Sequence, residues 1–261
     1  MMNELDIKSL EELPQVPSDK ARIQKALLNP LYTFENFVAG DSNNLAFMAA
    51  KSISSNLKML YNPLFIQGGI GVGKTHLLHA IGNIMQEQGK KVVYTSVEDF
   101  LSDFIKHLSN QTMDRFKLKY RICDLLLIDD IQFLSGKDSL QEEVFLTIEA
   151  LSANNRQIVI ASDKPPKLIG GLSDRLKSRF VCGLVVTIEP LELETKIEII
   201  KKKSETNSLH LDAETIHYIA SVTNNTFEIE GIITKLNAYP EIMVVDITIE
   251  YVRNLLESYL V

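Results

Sequence analysis

The sequence has few cysteines, no long apolar run and fewer basic than acidic side chains. Its two cysteines, Cys123 and Cys182, lie far apart, which argues against a disulfide scaffold and against a cysteine-based metal site. No apolar stretch approaches the roughly 20 residues of a membrane helix, and the first residues, MMNELD, lack the basic-then-apolar order of a signal peptide. We therefore expect a cytoplasmic protein without a membrane-spanning segment.

The charge balance also limits the kinds of partner. Acidic residues number 34 and basic residues 27, so the formal charge is −7, and the sequence pI is near 5.3. Nucleic acid attracts proteins through Lys and Arg, so the chain as a whole is poorly suited to tight, charge-driven binding of DNA or RNA. Hydrophobic residues make up 45% and charged residues 23%, an ordinary globular mixture that argues against disorder.

Short apolar runs alternate with longer amphipathic stretches between about residues 29 and 190. Continuously apolar strands separated by helices are typical of a parallel sheet covered on both faces, so the pattern predicts an α/β fold. After residue 190 only helical patterns follow, which predicts a small all-α domain at 191–261. Residues 1–28 are acidic and are predicted to form a flexible arm. The five predicted strands are residues 64–66, 91–94, 125–128, 158–161 and 184–188.

A phosphate-binding loop is the sharpest signal. Residues 68–75 read GGIGVGKT, fit the pattern G-x-x-x-x-G-K-[ST], and lie between a predicted strand and a predicted helix. Glycines let backbone N–H groups turn toward phosphate oxygens, Lys74 reaches the β- and γ-phosphates, and Thr75 ligates Mg²⁺. We therefore predict a site for ATP or ADP with Mg²⁺. The predicted nucleotide-binding residues are Gly68, Gly71, Val72, Gly73, Lys74, Thr75 and His76.

Two aspartates follow the four aliphatic residues 125–128. Side chains at the carboxyl ends of strands face the crevice in which ligands bind in open α/β sheets. The pattern therefore predicts Asp129 as a second Mg²⁺ ligand and Asp130 as the residue that orients or deprotonates an attacking water. His76 and His79 share a helix face, but no third metal ligand is near them, so we do not favour a metal site there.

Several segments resemble the AAA+ ATPase domain of the DnaA family of bacterial replication initiators. The resemblance runs from about residue 29 to residue 260 and is closer to this family than to AAA+ ATPases in general. It implies a nucleotide domain followed by a helical lid, ATP-dependent assembly into a helical oligomer that opens origin DNA, and slow hydrolysis to ADP and phosphate. The segments are residues 32–38 (YTFENFV), 61–66 (YNPLFI), 73–78 (GKTHLL), 127–133 (LIDDIQF) and 174–180 (DRLKSRF).

The resemblance also implies roles for residues outside the loop. Ser162 and Asp163 match the sensor I position, where a polar group meets the γ-phosphate or the attacking water. Arg179 matches the arginine finger that reaches the γ-phosphate of the neighbouring protomer, and Arg175, one turn earlier, is a second candidate. A guanidinium placed there neutralises charge that develops during phosphoryl transfer. A surface salt bridge is the alternative for Arg179.

The sequence departs from the family in three places. Phe227 occupies the position of the sensor II arginine; because a phenyl ring cannot donate to phosphate, we expect poor discrimination between ATP and ADP. Leu101 and Lys137 match positions that contact single-stranded DNA, but Ser139 stands where an arginine is expected, so we expect weak single-strand binding. The chain also ends before the helix-turn-helix domain of the family, so we expect it to contain no reader of duplex DNA.

The leading hypothesis is an initiator-type AAA+ ATPase module that binds ATP and Mg²⁺ and assembles head to tail. Three other interpretations stay open. One is a regulatory AAA+ protein resembling Hda, which acts on the nucleotide state of the initiator. The second is a nucleotide-locked scaffold with little turnover, and the third is a metabolic kinase for a small molecule.

Overall fold

The computed structural model describes residues 28–55, 61–242, 247 and 249–257 of the 261-residue chain. The predicted acidic arm therefore lies outside the described residues, apart from residue 28. Among the residues that are described, no helix combines the length and the apolar character needed to cross a membrane.

Five parallel strands form the central sheet, in the spatial order β2-β3-β4-β1-β5. The α/β fold predicted from the sequence is confirmed, and each predicted strand is present within one or two residues. Strands β3 and β4 are buried along their whole length, as expected for a parallel sheet covered on both faces. The strands are β1 (Leu64–Gly68), β2 (Val92–Ser96), β3 (Leu125–Asp129), β4 (Gln157–Ser162) and β5 (Leu184–Ile188).

Ten α-helices precede, connect and follow the strands in the described part of the chain. Two of them begin at clear N-caps, since the Ser96 hydroxyl accepts from the Asp99 N–H at 3.0 Å and the Asp212 carboxylate accepts from the Thr215 N–H at 2.7 Å. The helices are α1 (Asn44–Ser54), α2 (Lys74–Glu87), α3 (Val97–Ser109), α4 (Met113–Arg121), α5 (Asp138–Ala153), α6 (Asp174–Val181), α7 (Leu193–Thr206), α8 (Ala213–Val222), α9 (Thr226–Ile242) and α10 (Ile249–Glu257).

Three apolar clusters hold these elements together. Alternate residues of β1 point to opposite faces, so Leu64 and Ile66 pack with helices α1 and α2, whereas Phe65 packs with helices α3 to α6. The third cluster lies among α7 to α10 and includes Ile200, Ile219 and Leu236. This cluster supports a separate helical unit after residue 190, whose boundary stays a prediction.

The order of the strands decides where functional residues meet. Strand β1 lies beside β4, and β4 lies beside β3. Their carboxyl ends are therefore neighbours at one edge of the sheet. The glycine-rich loop, the segment after Ser162 and the acidic pair after Ile128 all begin at that edge.

Candidate nucleotide-binding site

The loop between β1 and α2 turns through two glycines with positive φ. Gly71 has φ 68° and Gly73 has φ 107°, conformations that L side chains rarely adopt. A Cβ on Gly73 would lie 2.9 Å from the ring of Phe37, so the space at this position is closed as well. Helix α2 begins at Lys74, so the positive end of its dipole adjoins the loop.

A cavity of about 690 Å³ lies between this loop, the segment that precedes α1 and the helices α7 and α9. Its volume falls in the range of roughly 300–1,000 Å³ that is typical of small-molecule sites. Gly68 does not line the cavity; it ends β1, and its carbonyl accepts a hydrogen bond from Lys74 at 2.9 Å. The sequence-predicted residues that do line the cavity are Gly71, Val72, Gly73, Lys74, Thr75, His76, Asp130 and Asp163.

Lys74 is buried, with only 6% of its surface exposed. Its ammonium group donates to the carbonyls of Gly68 at 2.9 Å and Gly69 at 2.7 Å and to the Asp163 carboxylate at 2.6 Å. These three acceptors satisfy all three donors of the ammonium group, as a buried charge requires. Asp163, predicted from the resemblance to match the sensor I position, therefore contacts the lysine of the phosphate loop directly.

Asp129 is also buried and gathers two hydroxyl groups. Its Oδ2 accepts from the hydroxyl of Thr75 at 2.7 Å and from that of Tyr94 at 3.2 Å. Burial, with the negative charge of Asp129 as the second cause, raises the pKa of Tyr94, so this hydroxyl stays protonated and donates. The Thr75 hydroxyl and the Asp129 carboxylate are oxygen ligands of the kind Mg²⁺ binds, and they lie side by side.

Asp130 has a left-handed backbone, with φ 56° and ψ 44°. Asp and Asn adopt this conformation more readily than other non-glycine residues. The N–H of Asp130 donates to Asp129 Oδ1 at 2.9 Å. Burial raises the pKa of the Asp130 carboxyl above its ordinary value, and the nearby Asp129 raises it further. A more basic carboxylate at the edge of the cavity suits a proton acceptor.

Helix α9 reaches the phosphate loop through Thr226. The backbone N–H of Thr226 donates to the Gly71 carbonyl at 2.9 Å, and its hydroxyl donates to the same oxygen at 2.8 Å. Phe227 lines the cavity and is 59% exposed. Phe227, which the sequence resemblance assigns to the sensor II position, thus lies at the loop, and both this assignment and its effect on nucleotide discrimination stay predictions.

The two histidines of α2 bind the segment that covers this helix. His76 donates from Nε2 to the Thr33 carbonyl at 2.8 Å and stacks on Tyr32 with 4.8 Å between ring centroids. His79 accepts the Asn29 N–H at Nδ1, at 2.8 Å. The ring nitrogens that make these bonds are committed to backbone groups, so the pair anchors residues 29–33 to α2.

Low pH should weaken the contact between α2 and residues 29–33. Burial lowers the pKa of His79 from 6.5 to about 4, so between these values the unfolded chain binds the proton more readily than the folded one. The contribution of neutral His79 to stability is therefore complete above about pH 6.5 and is lost as the pH falls toward 4. We expect the unfolding temperature to fall across this window and to fall less in His79→Gln, whose amide oxygen still accepts a hydrogen bond.

Thermal unfolding followed by circular dichroism at pH 7, 5.5 and 4 would measure this effect. His217→Gln, which changes an exposed histidine on α8, is the matched control and should unfold with the same pH profile as the wild type. Equal sensitivity in His79→Gln and the wild type would contradict the assignment.

Arg179 and Arg175 project from α6 and lie outside the cavity lining. Arg179 pairs with Glu149 of α5 through two contacts, of which the Nη2–Oε2 contact is 2.7 Å and the other joins Nε to Oε1. Arg175 lies over the ring of Phe145, with its guanidinium carbon 4.2 Å from the ring centroid. The salt bridge weighed as the alternative for Arg179 is thus present in the single chain, and its role toward a neighbour stays a prediction.

The residues predicted to contact single-stranded DNA lie on the sheet side that carries α3 and α5. Leu101, on α3, packs against the apolar cluster of that face, and Lys137 donates to the Phe133 carbonyl at 2.7 Å. Their contact with DNA stays a prediction. Two basic residues of α7, Lys202 and Lys203, line the cavity, because α7 packs beside the segment that precedes α1.

Two residues of the site were not assigned a role from the sequence. Tyr94 reaches Asp129 because β2 pairs with β3. Gln132 lies in the segment 127–133 and bonds locally to Asp130, but it reaches Asp163 because β3 pairs with β4. A local sequence pattern does not specify which strands pair, so the contacts of Tyr94 with Asp129 and of Gln132 with Asp163 could not be predicted from residue spacing.

The comparisons with known proteins agree with this geometry. The family model described as the bacterial DnaA ATPase domain matches residues 28–187. The chromosomal replication initiator DnaA of Sulfurimonas denitrificans is 54% identical over 253 residues, which cover 94% of this chain and 58% of that protein. The DnaA of Wolinella succinogenes is 49% identical over 260 residues, covering 98% of this chain and 60% of that protein. The chain thus spans less than two thirds of the length of these relatives.

Solved structures match over most of the chain. Domain III of DnaA from Thermotoga maritima has a TM-score of 0.84 and 40% identity, with 88% of this chain and 98% of that chain covered. A DnaA bound to AMPPCP and single-stranded DNA has a TM-score of 0.77 and 45% identity, covering 81% of this chain and 66% of that chain. The relatives are initiators by name, which does not favour the regulatory alternative. The chain belongs to the family of bacterial DnaA ATPase domains.

Proposed function

We propose that this chain is the ATP-binding, Mg²⁺-dependent AAA+ ATPase module of a DnaA-type initiator and that it assembles head to tail when ATP is bound. The observation that carries the proposal is the convergence of five residues at the carboxyl ends of three neighbouring strands. Lys74, Thr75, Asp130 and Asp163 line one cavity. Asp129 is buried next to it and accepts the hydrogen bond of the Thr75 hydroxyl.

Each of these residues has a role that its surroundings support. The loop N–H groups and Lys74 bind the phosphates, and Lys74 exchanges at least one of its three acceptors for a phosphate oxygen. Thr75 and Asp129 would hold Mg²⁺, because their oxygens lie 2.7 Å apart at the loop. The ion, when bound, neutralises phosphate charge.

Hydrolysis needs a group that receives a proton. In the proposed step the oxygen of a water molecule bonds to the γ-phosphorus, the bond between that phosphorus and the β,γ-bridging oxygen breaks, and ADP leaves with the bonding electrons. Asp130 takes the proton of the water, which its raised pKa favours. Asp163, in contact with Lys74, holds the position beside the terminal phosphate.

Assembly and DNA contact are proposed for residues that lie outside the cavity lining. We propose that Arg179 of one molecule leaves Glu149 and contacts the γ-phosphate of the ATP bound by the next molecule. The contact between the two molecules would then form only when ATP is bound. One relative of known structure was solved with single-stranded DNA, and Leu101 and Lys137 are the proposed contacts here. The net charge of −7 keeps this binding weak, and the proposed place of action is the bacterial cytoplasm.

The size of the oligomer with ATP, with ADP and without nucleotide tests the proposal. We expect wild-type protein to assemble with ATP only and Arg179→Ala to stay monomeric in all three states, measured by light scattering after size exclusion. Lys177→Ala, which changes another basic residue of α6, is the matched control and should assemble. Assembly of Arg179→Ala to the wild-type size would contradict the finger assignment.

The nucleotide affinities complete this test. Because Phe227 offers no donor to phosphate, the dissociation constants for ATP and ADP should agree within about threefold, a difference below 1 kcal/mol. Strong preference for ATP would argue against this role of Phe227. Tight binding of both nucleotides without assembly or turnover would instead favour the nucleotide-locked scaffold.

A further inference from the structure

Gln132 lies between two carboxylates of the site and contacts both. Its Nε2 donates to Asp130 Oδ1 at 3.0 Å and to Asp163 Oδ2 at 3.2 Å, and its Oε1 accepts from the backbone N–H of Asp163 at 3.2 Å. Both amide hydrogens and the amide oxygen are therefore used. The amide bridges the end of β3 and the end of β4, the two strands that carry these acids.

The backbone holds Gln132 firmly in this place. It lies in a 3-10 turn, Ile131–Leu134, whose first and last side chains are fully buried in the core. Asp130, just before the turn, is fixed by its left-handed backbone and by the bond from its N–H to Asp129. Among the described residues, the Gln132 amide donates the side-chain hydrogen bond that directs the Asp130 carboxylate.

The arrangement is a continuous chain of polar contacts. It runs from the Asp130 carboxylate through the Gln132 amide to Asp163, and from Asp163 to the ammonium group of Lys74 at 2.6 Å. Two carboxylates that face one region repel each other, and donors placed between them relieve the repulsion. Gln132 supplies those donors without adding charge.

We propose that Gln132 is a positioning residue that fixes the Asp130 carboxylate relative to the Lys74–Asp163 pair and so sets the rate of ATP hydrolysis rather than the affinity for nucleotide. The proposal rests on the proposed ATPase function. The group at one end of the contact chain receives the proton of the water, and the group at the other end binds the terminal phosphate. An error of about 1 Å between such groups lowers turnover by about 100-fold.

Gln132→Met tests this role, since it keeps the length and approximate volume of the side chain and removes its hydrogen bonds. We expect single-turnover hydrolysis of labelled ATP to slow by about 10- to 100-fold, while the dissociation constants for ATP and ADP change by less than about threefold. Gln132→Glu should also stay slow, because it places a third carboxylate between the other two.

Gln141→Met is the matched control. Gln141 also makes three hydrogen bonds, to the carbonyls of Leu134 and Gly171 and from the N–H of Ser173, but it contacts no carboxylate. Its loss should lower the unfolding temperature and leave hydrolysis per folded molecule within about threefold of the wild type.

The outcomes separate the two proposals. Turnover of Gln132→Met or Gln132→Glu within about threefold of the wild type would show that the side chain only fills space, and would overturn the inference while the ATPase function stands. An equal loss of turnover and affinity would also overturn it. If the wild type hydrolysed ATP no faster than buffer without protein, the ATPase function itself would fail, and the role of Gln132 with it.

Discussion

Lys74→Ala should lower the affinity for ATP and for ADP by at least about 100-fold, the equivalent of roughly 2.7 kcal/mol. The ammonium group is the one cation that the structure places both in the loop and in the cavity lining, and charge-assisted contacts to phosphate are the strongest hydrogen bonds available there. The substitution also leaves the Asp163 carboxylate in the cavity without its cation, and that negative charge repels phosphate. Isothermal titration calorimetry with each nucleotide measures the effect.

Lys164→Ala is the control for this substitution. Lys164 follows Asp163 directly in the chain, but its side chain is exposed and it does not line the cavity. Its removal should change affinity by less than about threefold. If the affinity of Lys74→Ala for nucleotide stayed within tenfold of that of the wild type, the phosphates would bind elsewhere, and the assignment of this cavity as the nucleotide site would be wrong.

Asp130→Asn should lower turnover by about 100- to 10⁴-fold, because general base catalysis contributes about that much and an amide cannot take a proton. The two side chains have the same shape, and the amide oxygen of the variant still accepts the hydrogen bond from Gln132. Nucleotide affinity should therefore stay within about threefold of the wild type, which separates this variant from Lys74→Ala.

Single-turnover hydrolysis, together with nucleotide titration, distinguishes the two effects. Asp138→Asn, an exposed acid at the start of α5, controls for the loss of one negative charge. Full turnover by Asp130→Asn would mean that another group receives the proton, and the assignment of Asp130 would then be wrong.

The parts of this structure that local patterns determine were predictable. The glycine-rich loop, the apolar strands and the acids after β3 each form a pattern within ten residues, because strand burial and phosphate binding impose their own spacing on the sequence. Helix α4 was not singled out. It is short and five of its nine residues are charged, so the segment as a whole is weakly apolar. Packing of Phe116 and Tyr120 against the first apolar cluster stabilises it instead.

The parts that depend on long-range pairing were not predictable. The contact of Lys74 with Asp163 joins residues 89 positions apart, and the bond of Tyr94 to Asp129 spans 35 positions. The partner of Arg179, Glu149 on α5, could not be predicted either, because any acidic residue on the surface could have paired with this arginine. The motif residues could thus be placed in one site, whereas the contacts that orient them required the strand order and the packing of helices.

The contact of Thr226 with the Gly71 carbonyl has a consequence for which residue position 71 can hold. A Cβ on Gly71 would lie 2.9 Å from the Cβ of Asn225 and 3.0 Å from the ring of Phe227. Gly71 occupies a variable position of the pattern G-x-x-x-x-G-K-[ST], so the pattern alone does not require a glycine there. Its positive φ and its close neighbours at residues 225 and 227 do require one. A larger residue at position 71 would strain the backbone and would also have to displace the residues at the start of α9 from the loop.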